Sequence, residues 1–332
     1  MRIAVIGAGA IGSLVAGYLT KAKEEVLLVG KPEQVRAIET KGLCIKTNDG
    51  MEIIPVKVAE RLDSEYDLVI FTVKTQDLEQ AYQDNKEFLE MCWVLTTQNG
   101  VQADNLLGFH FEPEKMISSI VMFGATYVNP GEVTINFPGN WILGKPFTVN
   151  DNRLQEIAQV LQKVFPVVIS SNIVGMKWLK LFVNFNNCIP ALIGKSMQET
   201  FKDMDLCRLS VILLREGLGI VQKAGIELIS LPDFPVERIL GLSSMPIDQA
   251  AGIIHKTLTS LSKEPLYGSI LQSILRKKTS EIDFINGEVT QVARGMYVDS
   301  PLNKKIVDLV HQVEREGRFL KPEEVKKEFN LS

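Results

Sequence analysis

Apolar residues first appear as an unbroken run, Ile3 to Ile6, followed by a glycine-rich turn and a stretch of small and apolar residues. A second run, VLLVG (26–30), comes next, so the opening reads strand, helix, strand. Two further runs, DLVIFTVK (67–74) and WVLTTQNGV (93–101), flank a helix-like stretch. Continuous rather than alternating apolarity marks strands buried on both faces, as in a parallel sheet. The texture changes in ISSIVMFGATYVNPGEVTINFPGNWILG (117–144), which alternates and turns at Pro130-Gly131 and Pro138-Gly139. That pattern predicts antiparallel pairing. Residues 153–165 read as a helix and VVIS (167–170) as a last strand.

Beyond Asn172 the period becomes helical, with candidate helices at 175–193, 203–224, 246–262, 269–295 and 302–315. Asp203 and Pro301 sit near helix starts, and Gly225 near an end. Residues 228–244 read as a connection, and FLKPEEVKKEFNLS as a peripheral tail or short helix. The pattern therefore predicts an α/β domain over 1–171 and an all-α domain over 172–332.

A length of 332 residues suits two domains, and 45 % hydrophobic with 23 % charged residues is ordinary for a soluble globular chain. The formal charge of −4, without a long basic stretch, argues against binding a nucleic-acid backbone. Four scattered cysteines without a CxxC pair argue against structural zinc and fit a reducing cytosol. His110, His255 and His311 have no recognisable catalytic context and read as structural or solvated. The uncharged stretch Ile3–Thr20 behind Arg2 superficially resembles a signal peptide, but its glycines and the strand after it fit a buried βα turn better. No other stretch approaches a membrane span, so a cytoplasmic protein is expected.

Between IAVI and an Ala/Leu/Val helix, Gly7, Gly9 and Gly12 complete GxGxxG in the setting that gives it meaning. Gly7 allows the tight turn, Gly9 lets backbone approach a pyrophosphate, and Gly12 lets helix and strand pack closely. Free N–H groups at the helix start face the anion. At the end of the second strand stand Gly30 and Lys31 rather than a carboxylate, which favours a 2′-phosphate and hence NADP(H) over NAD. Lys74 and Asn99 end successive strands, where the ligands of open α/β sheets collect. In the helical half, Lys180 lies inside an apolar stripe with Asn184 at i+4 on the same face. Ser269 and Glu281, twelve residues apart in one predicted helix, share a face as well. A partly desolvated lysine can protonate a developing alkoxide, and a nearby carboxylate would hold it in place.

The segments GAGAIG, TVK, QNGV, WLKLFVN and SEIDFINGEV, in this order and spacing, resemble the ketopantoate reductases (2-dehydropantoate 2-reductases) from Met1 to about Val313. The resemblance implies a Rossmann domain joined to a helical domain of the 6-phosphogluconate dehydrogenase carboxy-terminal type, and NADPH-dependent reduction of ketopantoate on the route to pantothenate and coenzyme A. It implies Lys180 as general acid, Glu281 as its active-site partner, and Asn184 and Ser269 as substrate-binding residues. Asn99 and Lys74 would line the cofactor and substrate cleft. GAGAIG (Gly7, Ala8, Gly9, Ala10, Ile11, Gly12) and Lys31 would hold the dinucleotide. Cys188, Leu266 and Gln272-Ser273 depart from residues common in that family. Two other readings remain open here, a reductase of another 2-keto acid and a non-catalytic NADP-binding sensor. A homodimer is compatible with the long apolar helices.

Overall fold

A computed structural model describes residues 1–262 and 264–331. Packing divides the chain between Val174 and Gly175. In the first unit the strands are β1 (Arg2–Ile6), β2 (Glu25–Val29), β3 (Leu43–Thr47), β4 (Gly50–Ile54), β5 (Lys57–Ala59) and β6 (Leu68–Phe71). They continue as β7 (Trp93–Thr96), β8 (Met116–Val121), β9 (Gly124–Asn129), β10 (Glu132–Phe137), β11 (Trp141–Gly144) and β12 (Val167–Ile169). The helices are α1 (Ala10–Lys21), α2 (Pro32–Lys41), α3 (Leu78–Asn85), α4 (Gln102–Gly108) and α5 (Asn152–Leu161).

Eight strands form one sheet in the order β12-β11-β8-β7-β6-β1-β2-β5. β5, β2, β1, β6, β7 and β8 are mutually parallel, and only β11 against β8 is antiparallel. β1 is flanked by β2 on one side and β6 on the other, so the direction of strand order changes beside it. That reversal opens a crevice at the carboxyl ends of β1 and β6. The strands flanking it, β1 and β6, are buried almost throughout, as their unbroken apolar runs require.

A second sheet, β4-β3-β10-β9, is absent from the pattern reading. The hairpin at Pro130-Gly131 does pair β9 with β10 antiparallel. The strand after Pro138-Gly139, however, leaves for the main sheet to pair with β8. β10 instead takes β3 as a parallel partner, and β3 takes β4. The inner face of this sheet lies on α1: a Cβ at Gly17 would meet Ile45 Cδ1 at 2.7 Å. Buried Asp104 on α4 accepts from Thr96 Oγ1 (2.5 Å) on β7 and Ser118 Oγ (2.7 Å) on β8. It thereby fixes the end of β7, beyond which Asn99 follows.

The second unit is helical: α6 (Ile173–Asn184, beginning two residues before the division), α7 (Cys188–Ile193), α8 (Met197–Thr200), α9 (Met204–Lys223) and α10 (Glu237–Ser244). It continues with α11 (Ile247–Thr259), α12 (Ser269–Leu275), α13 (Asn286–Gly295), α14 (Pro301–Glu316) and α15 (Pro322–Glu328). Gly217 on α9 lets α6 lie close: a Cβ there would stand 2.9 Å from Phe185 Cε1 and 3.0 Å from Phe182 Cε1. The stripe that flanks Lys180 is therefore seated on α9.

Two predicted helices are interrupted. A 3-10 turn, Phe185–Asn187, divides 175–193 into α6 and α7. The break in 269–295 is larger. α12 stops at Leu275, and Lys277 adopts φ +54°. Lys277 N then donates to Ile274 O (2.8 Å) and Lys278 N to Ser273 O (3.0 Å). This is a Schellman closure made with lysine where glycine is usual. A 3-10 turn, Ile282–Phe284, precedes α13. Ser269 and Glu281 therefore sit on different elements, and the expectation of a shared helix face is wrong. The connection 228–244 also contains a helix, α10.

Asp104→Ala should lower the urea midpoint by the equivalent of about 1–3 kcal/mol, because Thr96 and Ser118 each lose a short buried hydrogen bond. A shift within error in equilibrium unfolding would show that the cluster does not hold β7 to β8.

Candidate active site

The first unit carries an anion cradle. Gly7 takes φ +120°, a value that favours glycine, and its N–H donates to Val29 O (2.9 Å), tying the loop to the end of β2. Gly12 has no room for a side chain: a Cβ would stand 1.9 Å from Gly7 O and 2.3 Å from Thr72 Oγ1. Gly9 is the opposite, since its Cβ would meet nothing within 4 Å. That open face is what a diphosphate needs for close approach to backbone. Gly9 is also the N-cap of α1 and supplies no capping side chain. Ser13 N is the first to bond back, to Gly9 O, so the N–H groups of Ala10, Ile11 and Gly12 face forward to receive an anion. Ala8 packs into the cradle, with its Cβ 2.7 Å from where a Gly30 Cβ would stand. The residues present therefore fit a dinucleotide pyrophosphate.

Lys31 is exposed at the N-cap of α2, directly after β2 and Gly30. Gln34 orders this corner, accepting from Lys31 N (2.9 Å) and donating to Ala8 O (2.7 Å) and Tyr127 Oη (3.2 Å). At the end of β6, Thr72 Oγ1 donates to Gly7 O (2.8 Å), and half-buried Lys74 begins a short 3-10 turn. Asn99 is half-buried, followed by Gly100 at φ +78°. The preceding Gln98 donates to Phe71 O (2.9 Å) and Val73 O (2.8 Å), drawing the ends of β6 and β7 together. The structure thus brings Gly7, Gly9, Gly12, Lys74 and Asn99 to the carboxyl ends of adjacent strands. Thr72, Gln98 and Gln34 do the joining, and the motif does not point to them. Their only trace in the sequence is a polar side chain immediately after or near each strand.

In the second unit, Lys180 and Asn184 lie one turn apart on α6. Burial lowers the Lys180 ammonium from the ordinary lysine range to about 8. An ammonium held there is mostly charged at neutral pH, yet gives up its proton far more readily than a surface lysine. Asn184 is half-buried at the end of α6, and its amide does not cap the turn that follows.

The next asparagines are committed elsewhere. Asn186 accepts from Ser210 on α9. Asn187 lies against the start of α12, where a Cβ at Gly268 would stand 2.5 Å from its Oδ1. Ser269, half-buried, is the first residue of that helix, so Asn187 and Ser269 are brought together across the α6–α7 junction. Cys188, in contrast, is fully buried and donates to Phe185 O (3.0 Å). Burial pushes its thiol up to about 12, so it is an inert core group. Leu266 and Tyr267, just before Gly268, are exposed. Glu281 is half-buried at the start of the Ile282–Phe284 turn.

A glycine turn on a parallel sheet, followed in the chain by a helical unit with a desolvated lysine, defines the class: a pyridine-nucleotide-dependent oxidoreductase. Comparison with known proteins names the group within it. A family model described as ketopantoate reductase PanE/ApbA matches residues 3–146, and its C-terminal counterpart matches 172–314. The chain belongs to the ketopantoate reductase family. The 2-dehydropantoate 2-reductase of Pyrococcus horikoshii is 30 % identical over 321 residues, covering 96 % of this chain and 99 % of that one. That of Pyrococcus abyssi is 29 % identical, covering 93 % and 97 %. Among solved structures, a PanE/ApbA family ketopantoate reductase from Ralstonia eutropha JMP134 superposes with a TM-score of 0.80 at 25 % identity, covering 95 % of this chain and 99 % of that one. A D-mandelate dehydrogenase with NADH and anilino(oxo)acetate gives 0.81 at 22 %, with the same coverage. The protein is an oxidoreductase acting on CH–OH, with a small keto acid as the substrate class. Among the described residues no helix is long and apolar enough to cross a membrane.

The glycines separate binding from folding. Gly9→Ala should keep the melting temperature within a few degrees while weakening dinucleotide binding at least about tenfold. Gly12→Ala should lower the melting temperature as well, because its Cβ collides with backbone. Fluorescence titration beside a thermal melt checks both, and unchanged binding in Gly9→Ala would remove the cradle from the dinucleotide site.

Proposed function

We propose that the protein reduces 2-dehydropantoate (ketopantoate) to pantoate with NADPH, in pantothenate and coenzyme A formation, and that it works in the cytoplasm. The observation that carries this reading is Lys180, a half-buried residue whose desolvated ammonium is lowered to about 8, one turn before Asn184 in a chain of this family. The names of the Pyrococcus relatives support the substrate.

Bound NADPH supplies a hydride to the C2 carbonyl carbon. Lys180 Nζ gives its proton to the oxygen as negative charge develops there, and the neutral amine regains a proton from solvent. Asn184 donates from its amide to orient that oxygen. Ser269, at the start of α12, and Asn99 bind the substrate's polar groups. Glu281 holds the active-site charge balance as the partner of Lys180. Lys31 pairs with the 2′-phosphate as a point charge, and Lys74 lines the cofactor site. On this reading the division between the NADP-binding and catalytic parts falls near residue 171.

A second reading, reduction of another 2-keto acid, draws support from position 266. There the exposed Leu266 offers a substrate apolar contact only. Following NADPH oxidation at 340 nm with ketopantoate and a panel of bulkier 2-keto acids separates the two. No turnover of ketopantoate beside rapid turnover of another acid overturns the first.

Lys180→Ala should abolish turnover while leaving NADPH binding intact. In the wild type the acid form of Lys180 is lost as pH rises through about 8, so kcat for reduction should fall by about tenfold per unit above that value. A rate flat through about pH 9 would show that another group supplies the proton. Lys31→Asp should weaken NADPH far more than NADH, and equal effects on both would remove it from the phosphate site.

A further inference from the structure

The segment that carries Glu281 is tied to α14 by a short chain of charged groups. Glu314 on α14 accepts from Ser280 N (2.8 Å), one residue before Glu281. Asp283, two residues after Glu281, has its Oδ1 2.9 Å from His311 Nε2. His311 Nδ1 stands 3.0 Å from Glu314 Oε2, closing the chain. The backbone on both sides of Glu281 is thus fastened to one helix, before it directly by Glu314 and after it by His311 through Asp283, and the same imidazole also holds Glu314.

A ring nitrogen facing a carboxylate must carry a proton to make a favourable contact, and His311 faces a carboxylate from each nitrogen. Only the imidazolium donates from both. The neutral ring keeps one contact and turns a lone pair toward the other oxygen. Charges on the remaining elements packed against α14 do not replace it. α13 brings buried Glu288 and exposed Arg294. α7 brings only the Cys188 thiol as a titratable group. Glu216 of α9 is spent on Leu302 N (2.9 Å) and Asn303 N (2.7 Å), at the far end of α14. Glu328 of α15 pairs with Lys305 (3.2 Å), and on α14 itself Asp308 pairs with Lys304 (2.6 Å).

We propose that His311 is a positioning residue: through Asp283 and Glu314 it fixes the segment Ser280–Phe284, and with it the carboxylate of Glu281, for as long as the imidazole is protonated. The inference rests on the reading of Glu281 as an active-site carboxylate. The ionisation of the cluster agrees with the geometry. Burial pulls the His311 imidazolium down, but Asp283 and Glu314 outweigh it, and the net direction is up from 6.5. Burial pushes the Glu314 carboxyl up, but donation from Ser280 and His311 outweighs it, and the net direction is down. The sign follows: the ionic clamp is complete at pH below the ordinary histidine range and is lost as pH rises through the raised value.

The test uses the 2-keto acid that the wild type turns over fastest, with kcat and KM measured from about pH 6 to about pH 9. His311→Ala should lower kcat about tenfold, because a loosened carboxylate misplaces the reacting groups, and leave KM for the dinucleotide unchanged. His311→Gln, which keeps an amide donor, should recover part of that loss and show none of the pH step assigned to the imidazole. Asp283→Asn should lower the His311 midpoint seen by NMR of the imidazole protons and move the kinetic step by the same amount. A kinetic step that stays in place while the NMR midpoint moves overturns the proposal, as does a His311→Ala enzyme with wild-type kcat. Glu281→Gln separates the two failures. If it retains full turnover, the role of Glu281 falls and the clamp with it. If it is inactive while His311→Ala is not, only the clamp falls.

Discussion

A lysine ammonium set into an apolar stripe is the constraint on which the helical half is built. Desolvation of Lys180 is unfavourable for the charged form and lowers it to about 8. Such a group persists only on a framework that does not relax around it. Phe182 and Phe185 supply part of that framework, because Gly217 lets α9 come close beneath them. The apolar stripe around Lys180 is thus both its environment and its mount. An exposed lysine on the same helix would carry the same charge at neutral pH and would be a far weaker acid.

The nucleotide-binding half obeys a different constraint, steric rather than electrostatic. Gly12 is pressed against Gly7 O and Thr72 Oγ1, whereas Gly9 borders open space. Glycines of one motif therefore act in opposite senses, one to close the fold and one to leave it open. Thr72, Gln98 and Gln34 convert separate strand ends into one rim by hydrogen bonds to backbone carbonyls. Pyridine-nucleotide chemistry and family membership follow from this half and the helical half together.

Legibility in the sequence followed the range of the interactions. The β1–loop–α1 turn was readable because its glycines, apolar strand and small-residue helix are contiguous. The strands β6 and β7 are readable because parallel strands buried on both faces leave unbroken apolar runs, whereas β8, with Ser118 and Ser119 inside it, reads as the start of the antiparallel stretch although it pairs parallel with β7. The sheet containing β3 and β4 was not, because each strand is only five residues long and β3 takes its partner from β10, far along the chain. The break after α12 was hidden for another reason: Lys277, not glycine, occupies the left-handed position, so the usual stop signal is missing. Lys180 with Asn184 was legible as a charge and an amide inside an apolar stripe. The surroundings of His311 are only partly legible: Glu314 stands one turn on in the same helix, but Asp283 lies on another element and only folding brings it there.

The lysine-capped break between α12 and the Glu281 turn also bears on how this fold diversifies. Were Ser269 and Glu281 on one rigid helix, a change that shifted the first would drag the second with it. With the Schellman closure at Lys277 between them, the stretch Leu266–Ser269 and the stretch Ser280–Phe284 are anchored to different neighbours, one to Met197 and Gln198 of α8 and the other to α14. A substitution that moves the backbone of one stretch therefore need not displace the backbone of the other.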